Sequence, residues 1–232
     1  MHTLSKIIIW IFLVCSTFLG FGGNSIPAVI ENYPVIPRVT ELRKQLLDIT
    51  ESQVGVRELT GNNDGKQIKA YLKSVGLKEG SPWCAAFVVW CHLQISYDFP
   101  IPATAWSPAM FTHNLVYHKH HIRMSPWIPR GGEVAGIYYA SKKRVAHAVI
   151  IERQQSNHFI TYEGNTSLMG AILDKLNLTR EEKDELDREG IWVAKKIRKP
   201  NDIYVASDYI GGEEIAKALR QKDSGKYFGD RQ

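Results

Sequence analysis

An α+β fold, with helices first and an antiparallel sheet after them, is the architecture this 232-residue chain predicts. Two observations carry that reading. Apolar residues recur at helical spacing up to about residue 94, and from residue 133 onward they alternate with the period of a strand. A third observation concerns the joint between the two halves. Residues 98–129 are rich in proline, aromatic residues and histidine, and they read as an ordered irregular segment with room for one helix.

The elements follow in chain order. Thr40 to about Gln53 reads as an amphipathic helix, because Leu42, Leu46, Leu47 and Ile49 fall on one side of it. The run Gly61-Asn62-Asn63-Asp64-Gly65 is a loop, and a short helix follows through Ile68, Tyr71 and Leu72. The third helix begins in "SPWCAAFVVWC", residues 81–91. Ser81 suits the N-cap, Pro82 suits the first helical position, and Cys84 to Gln94 contains nothing that breaks a helix. Glu133 to Ala140, Val145 to Glu152, Phe159 to Glu163 and Ile191 to Arg198 read as strands, with turn residues between the first three. Near the end, "GGEEIAKALRQK" reads as a helix, so residues 201–232 are expected to form a helical extension.

The N-terminus sets the compartment. Lys6 precedes an uncharged apolar run from Ile7 to Phe21, and Gly22, Gly23, Asn24 and Ser25 follow. This is the pattern of a secretory signal, which places the mature chain in the periplasm, cell envelope or extracellular space. The apolar run is shorter than the roughly 20 residues a membrane-spanning helix uses. No clean small-x-small cleavage site stands out, so residues 1–25 are either a signal peptide or an N-terminal anchor that would attach the chain to the membrane. Val14 is a poor residue to precede a lipid-modified Cys15. Roughly 200 residues remain, one domain of ordinary size, expected as a monomer. The net charge of +5 suits an anionic envelope surface or simply an ordinary solvated one. An exported chain with no nucleic-acid motif is not expected to bind nucleic acid.

Only Cys84 and Cys91 are left beyond the N-terminal segment, and an exported protein makes a disulfide the first test. Seven residues along one helix separate them by roughly 10 Å, whereas a bridge needs Cα atoms within about 7 Å. No paired zinc-ligand spacing accompanies them. Cys84 is therefore expected as a free thiol near the start of a helix, where unpaired N–H groups and the helix dipole favour the thiolate. Cys91, flanked by Trp90 and Leu93 in the helix interior, reads as a small hydrophobe. From this stretch alone, a nucleophilic and an inert Cys84 are equally open.

Two strand segments shift the balance. In "VAHAVIIE", Val145, His147, Val149 and Ile151 share a face, and taken alone such an imidazole reads as a packed core histidine. In "ITYEGNTS", Glu163 and Asn165 lie two apart and share a face if the strand persists; alone, they read as a solvated strand end. A cysteine nucleophile needs an adjacent base, and the base needs a third group to orient it. Cysteine at a helix start, histidine on one strand and a carboxylate or amide on the next can meet that need.

The segments "PWCAAFVVWC", "GGEVAGIYY", "AHAVIIE" and "YEGNTS", in this order, resemble the CHAP family of peptidoglycan hydrolases, within the wider papain-like group. The likeness runs from about Val54 to Arg198. It implies a papain-like CHAP fold over residues 38–200, with Cys84 as nucleophile, His147 as base and Glu163 or Asn165 orienting the imidazole. It implies cleavage of amide bonds in peptidoglycan, either between muramic acid and L-alanine or within the stem and cross-bridge peptides, through a thioester. Gln53 is a candidate oxyanion donor, and Trp83 and Trp106 are candidates to line the substrate groove, although core packing is the plainer reading of both tryptophans.

The sequence also departs from the family pattern. Gly132-Glu133 stands where Gly-Asp is usual, and the acidic calcium-binding run of some members is missing, so no metal and no cofactor is expected. Residues 168–190 form an insertion whose Thr179-Arg180-Glu181-Glu182 is a capping-box pattern and predicts a helix. Readings from other classes are a catalytically silent wall-binding protein, a transamidase using the same residues, and a metalloprotein using His118, His120 and His121. Adjacent histidines make poor metal ligands without further spaced partners.

Overall fold

A computed structural model describes residues 36–95, 100–121, 127–167, 179 and 190–211. The apolar N-terminal segment, nearly all of the 168–190 insertion and the C-terminal stretch expected to be helical lie outside the described residues. Among these described residues, three α-helices precede a six-stranded antiparallel sheet. Helix α1 is Pro37–Ser52, α2 is Lys66–Lys73 and α3 is Cys84–Leu93; the strands are β1 (Leu115–His118), β2 (Val134–Tyr139), β3 (Arg144–Gln155), β4 (His158–Thr166), β5 (Trp192–Arg198) and β6 (Ile203–Ser207). Their order across the sheet is β1-β6-β2-β3-β4-β5. No helix among the described residues is long and apolar enough to cross a membrane.

Helix α3 occupies the centre because of its composition. Cys84, Ala85, Ala86, Phe87, Val88, Val89, Cys91 and His92 are all buried, so the helix is apolar on every side and needs cover on every side. Strands β3 and β4 cover one side, α1 and α2 others. Val39, Leu42 and Leu46 of α1, with Ile68, Tyr71 and Leu72 of α2, close this core. The opposite face of the sheet carries a second cluster, in which Ala135, Ile137, Val149, Ile151, Phe159, Ile203 and Ala206 pack beneath Tyr117 and Trp127.

Two glycines mark where the layers touch. A Cβ on Gly164 of β4 would lie 2.7 Å from Phe87 and Trp83, so its absence lets α3 settle directly on the strand. A Cβ on Gly136 of β2 would meet Val145, Phe111 and Val205 at 2.7–2.8 Å.

The structure corrects several expectations. Helix α3 starts at Cys84, with Trp83 as N-cap, and not at Pro82. Trp83 donates its amide N–H to Asn165 and its indole N–H to Glu58, which fixes the bend at residue 83, so the first helical bond runs from Phe87 N–H to the Trp83 carbonyl. The irregular segment contains a 3₁₀ turn, Ser107–Phe111, and also the short strand β1. Strand β6, read as part of a helical extension, instead lies inside the sheet between β1 and β2.

Candidate functional site

The site is built where the start of α3 meets the sheet. Cys84 is the first residue of α3, only 6% exposed, and its thiol interacts with the His147 side chain, each shifting the other's protonation. His147 stands on β3, and its Nε2 lies 3.0 Å from Glu163 Oε2 on the neighbouring strand β4. With Nε2 committed to the carboxylate, Nδ1 is the ring nitrogen left for the thiol. Cys84, His147 and Glu163 thus form one continuous relay from sulfur to carboxylate.

Glu163 is completely buried and heavily engaged. Arg198 of β5 grips it with two bonds, Nε to Oε1 at 2.7 Å and Nη2 to Oε2 at 2.6 Å. The Thr161 hydroxyl donates to Oε1 at 2.7 Å. Register explains the convergence. Thr161 and Glu163 are two apart on β4, and β4 pairs antiparallel with β5, Phe159 opposite Arg198 and Glu163 opposite Ala194, so one sheet face collects all three side chains. Neither Arg198 nor Thr161 was singled out in the sequence; strand parity was the available signal for Thr161, and none pointed to Arg198.

The surroundings shift all three protonation equilibria. Burial alone would push the Cys84 thiol up, but the hydrogen bond and positive charge of His147, helped by the Ser107 hydroxyl and the Ala148 backbone N–H, bring it down to about 7. Burial alone would lower the imidazole, but hydrogen bonds to Cys84 and Glu163 and their negative charges raise His147 to about 9. Glu163 is held well below the usual carboxylate range: Arg198 and His147 overcome the upward push of burial. Between pH 7 and 9 the pair is a thiolate facing an imidazolium. Cys91 behaves oppositely, since burial pushes its thiol far up. Both thiols are free.

The other candidate residues take no part in this relay, and Trp83 is packed in the core as its plainer reading had it. Asn165 does not touch His147. It has a left-handed backbone (φ 54°) at a register shift between Glu163 and Thr166, which turns its side chain away from the face that Glu163 shares. Its Oδ1 accepts the Trp83 N–H at 3.1 Å and its Nδ2 donates to the Gly190 carbonyl at 3.0 Å. Asn165 positions the start of α3, and Glu163 alone is the histidine's partner. Gln53 accepts from the Tyr71 hydroxyl at 2.8 Å and donates to Ser52 at 2.9 Å, so its amide is spent away from the thiol. Trp83 is fully buried and stacked on Tyr71, which removes it from any groove. Trp106 is 54% exposed and carries the Arg144 guanidinium over its ring at 4.1 Å.

A cavity of about 510 Å³ is bounded by Arg198, Tyr138, Tyr139, Tyr204, Lys119 and His120 among others, and not by Cys84, His147 or Glu163. Arg198 is common to the cavity wall and the carboxylate clamp. Tyr138 and Tyr204 stack at 4.9 Å on its aromatic side. His118 and His120 are ring neighbours of Tyr204. Among the described residues, no group of three or more His, Cys, Asp or Glu side chains could hold a metal ion.

No protein-family model matches the chain, and searches of curated proteins and of solved structures find no match either. Fold and site together define its class: an α+β domain in which a helix-start cysteine faces a strand histidine that is hydrogen-bonded to a clamped glutamate.

Proposed function

We propose that this chain is an exported cysteine hydrolase of bacterial cell-wall peptide, with a papain-like CHAP fold. The observation that carries the reading is the relay itself, a thiol at the first position of a helix interacting with an imidazole whose far nitrogen is held by a buried carboxylate. The motifs "PWCAAFVVWC", "AHAVIIE" and "YEGNTS" supply the substrate class through their likeness to that family.

The chemistry follows from the geometry. The Cys84 thiol gives its proton to His147, and the thiolate attacks an amide carbonyl. Negative charge developing on the carbonyl oxygen is met by the Cys84 backbone N–H, which as the first helical residue has no intrahelical acceptor. Imidazolium His147 then protonates the departing amine, leaving a thioester on Cys84. Water, deprotonated by the now neutral His147, attacks the thioester; the carboxylic product leaves and the thiol is restored. Glu163 keeps the imidazole oriented and its positive form favoured throughout.

Incubation of the mature protein with purified peptidoglycan, followed by mass analysis of new amine and carboxyl ends, tests this and identifies the bond. Fragments should appear with the intact chain and be absent with Cys84→Ala. Equal release by both proteins would overturn the hydrolase reading, and products joined to an added amine would make it a transamidase.

A further inference from the structure

The irregular segment places Ser107 against the nucleophile. Ser107 opens the 3₁₀ turn Ser107–Phe111 and is 3% exposed, and its Oγ lies 3.5 Å from Cys84 Sγ. A serine at the start of a helical turn ordinarily spends its hydroxyl on a free backbone N–H. Here the N-cap is Trp106, and the sulfur is the Ser107 hydroxyl's hydrogen-bond partner among the described residues. A buried hydroxyl must be satisfied somewhere, and this one is aimed at the reacting atom. Pro108 sits in the first turn, where its ring restricts the backbone that carries the hydroxyl. Exposed Trp106, with Arg144 over its ring, immediately precedes it.

We propose that Ser107 is a catalytic residue, whose O–H donates to the Cys84 sulfur and holds the thiolate in place for attack. The serine keeps its proton throughout: the thiol proton passes to His147, and Ser107 contributes only a charge-assisted hydrogen bond, which strengthens as the sulfur becomes negative. This third contact also explains how a nearly buried thiol can ionise. Burial opposes the charge, and the imidazole supplies a partner on one side only. Ser107 and the Ala148 N–H occupy others.

The inference rests on the thiolate of the proposed function but not on the wall substrate, and its test needs no substrate. The pH dependence of Cys84 alkylation by iodoacetamide, followed by intact mass, should show an apparent midpoint near 7 in the unaltered protein. Ser107→Ala should move it upward by about one unit, with about fivefold slower labelling at pH 7, because a hydrogen bond to the charged form is gone. Ser107→Gly should behave likewise, while Ser107→Thr, which keeps the hydroxyl, should restore most of the rate. Unchanged midpoints in Ser107→Ala or Ser107→Gly would overturn the proposal. So would an equal shift in the threonine variant, which would mark a packing effect. A shifted midpoint in a protein that releases no wall fragments would retain Ser107 and discard the hydrolase reading.

Discussion

Glu163 is asked to satisfy two cations at once, and that decides what its replacement should do. Arg198 takes both of its oxygens, and His147 takes one of them. Glu163→Gln keeps the size but removes the charge, so the imidazolium loses its support and Arg198 loses its counter-ion. We expect wall hydrolysis to fall by about 10²-fold or more, and the high-pH limb of the activity profile to move down. In the unaltered protein that profile should be bell-shaped, because activity needs the thiolate formed above about 7 and the imidazolium lost above about 9. Asn165→Ala should behave differently. It leaves His147's partner intact but strands the Trp83 N–H and the Gly190 carbonyl, so it should cost about 1–3 kcal/mol of stability with a milder fall in turnover. Turnover against pH, together with urea midpoints for both variants, separates orientation from positioning. The opposite ranking in turnover would assign the orienting role to Asn165. Cysteine, histidine and glutamate were legible in the sequence because each lies in a motif and two sit on adjacent strands. Asn165's role was not, since two-residue spacing implies a shared face only while the backbone stays extended, and residue 165 does not.

At the scale of elements, the relay depends on how closely α3 approaches β4, and Gly164 controls that distance. A methyl group there would stand 2.7 Å from Phe87 Cβ and Trp83 Cζ3, atoms at the start of the same helix that carries Cys84. Gly164→Ala should push the first turn of α3 off the sheet. We expect a loss of about 1–3 kcal/mol from overpacking, and slower alkylation of Cys84 at pH 7, as the thiol moves away from His147 and its midpoint rises. Urea denaturation and the alkylation profile on one preparation check both; wild-type labelling would mean the layers can separate without disturbing the relay. The helices were readable because their apolar spacing is strong, and β2 to β5 because their alternation is. Strand β6 escaped because Ile203, Val205, Ala206 and Ser207 are all buried, so it lacks the alternation of a strand with one wet face. Strand β1 is four residues long and none of them is buried, which leaves little pattern to detect. Ser107 and Arg198 reach the site through tertiary approach from an irregular segment and a distant strand, which no local spacing encodes.

The molecule as a whole is tied together by a second polar cluster at the far end of α3. Asp208, just past β6, is fully buried and bonds to Arg43 of α1 and to Arg130, each at 2.6 Å, and Arg43 also donates to the Gly131 carbonyl at 2.6 Å. Arg130 donates its backbone N–H to Glu133 at 2.7 Å, so two guanidiniums and two carboxylates link the first helix, the entry to β2 and the exit from β6. The cluster borders His92, which lies eight residues along α3 from Cys84, roughly 12 Å by helical rise. Asp208→Asn keeps the shape but leaves two guanidiniums with a single carboxylate. It should cost about 3–5 kcal/mol, the usual penalty for breaking a buried pair from one side. Burial would raise the Asp208 carboxyl, but Arg43 and Arg130 hold it below its ordinary value. Its contribution is therefore fully present above the unfolded value of 3.8 and is lost as pH falls through the lower folded value. Glu133 shifts upward, first through burial and in part through the Asp208 charge, an effect of opposite sign, so the difference between wild type and Asp208→Asn at each pH reports Asp208 together with its influence on Glu133. Urea midpoints from pH 7 down to 3 should converge as the carboxylate is protonated, while the alkylation midpoint of Cys84 in the folded variant stays near 7. A stability difference that persists unchanged at pH 3 would show that packing, and not charge, is what Asp208 contributes.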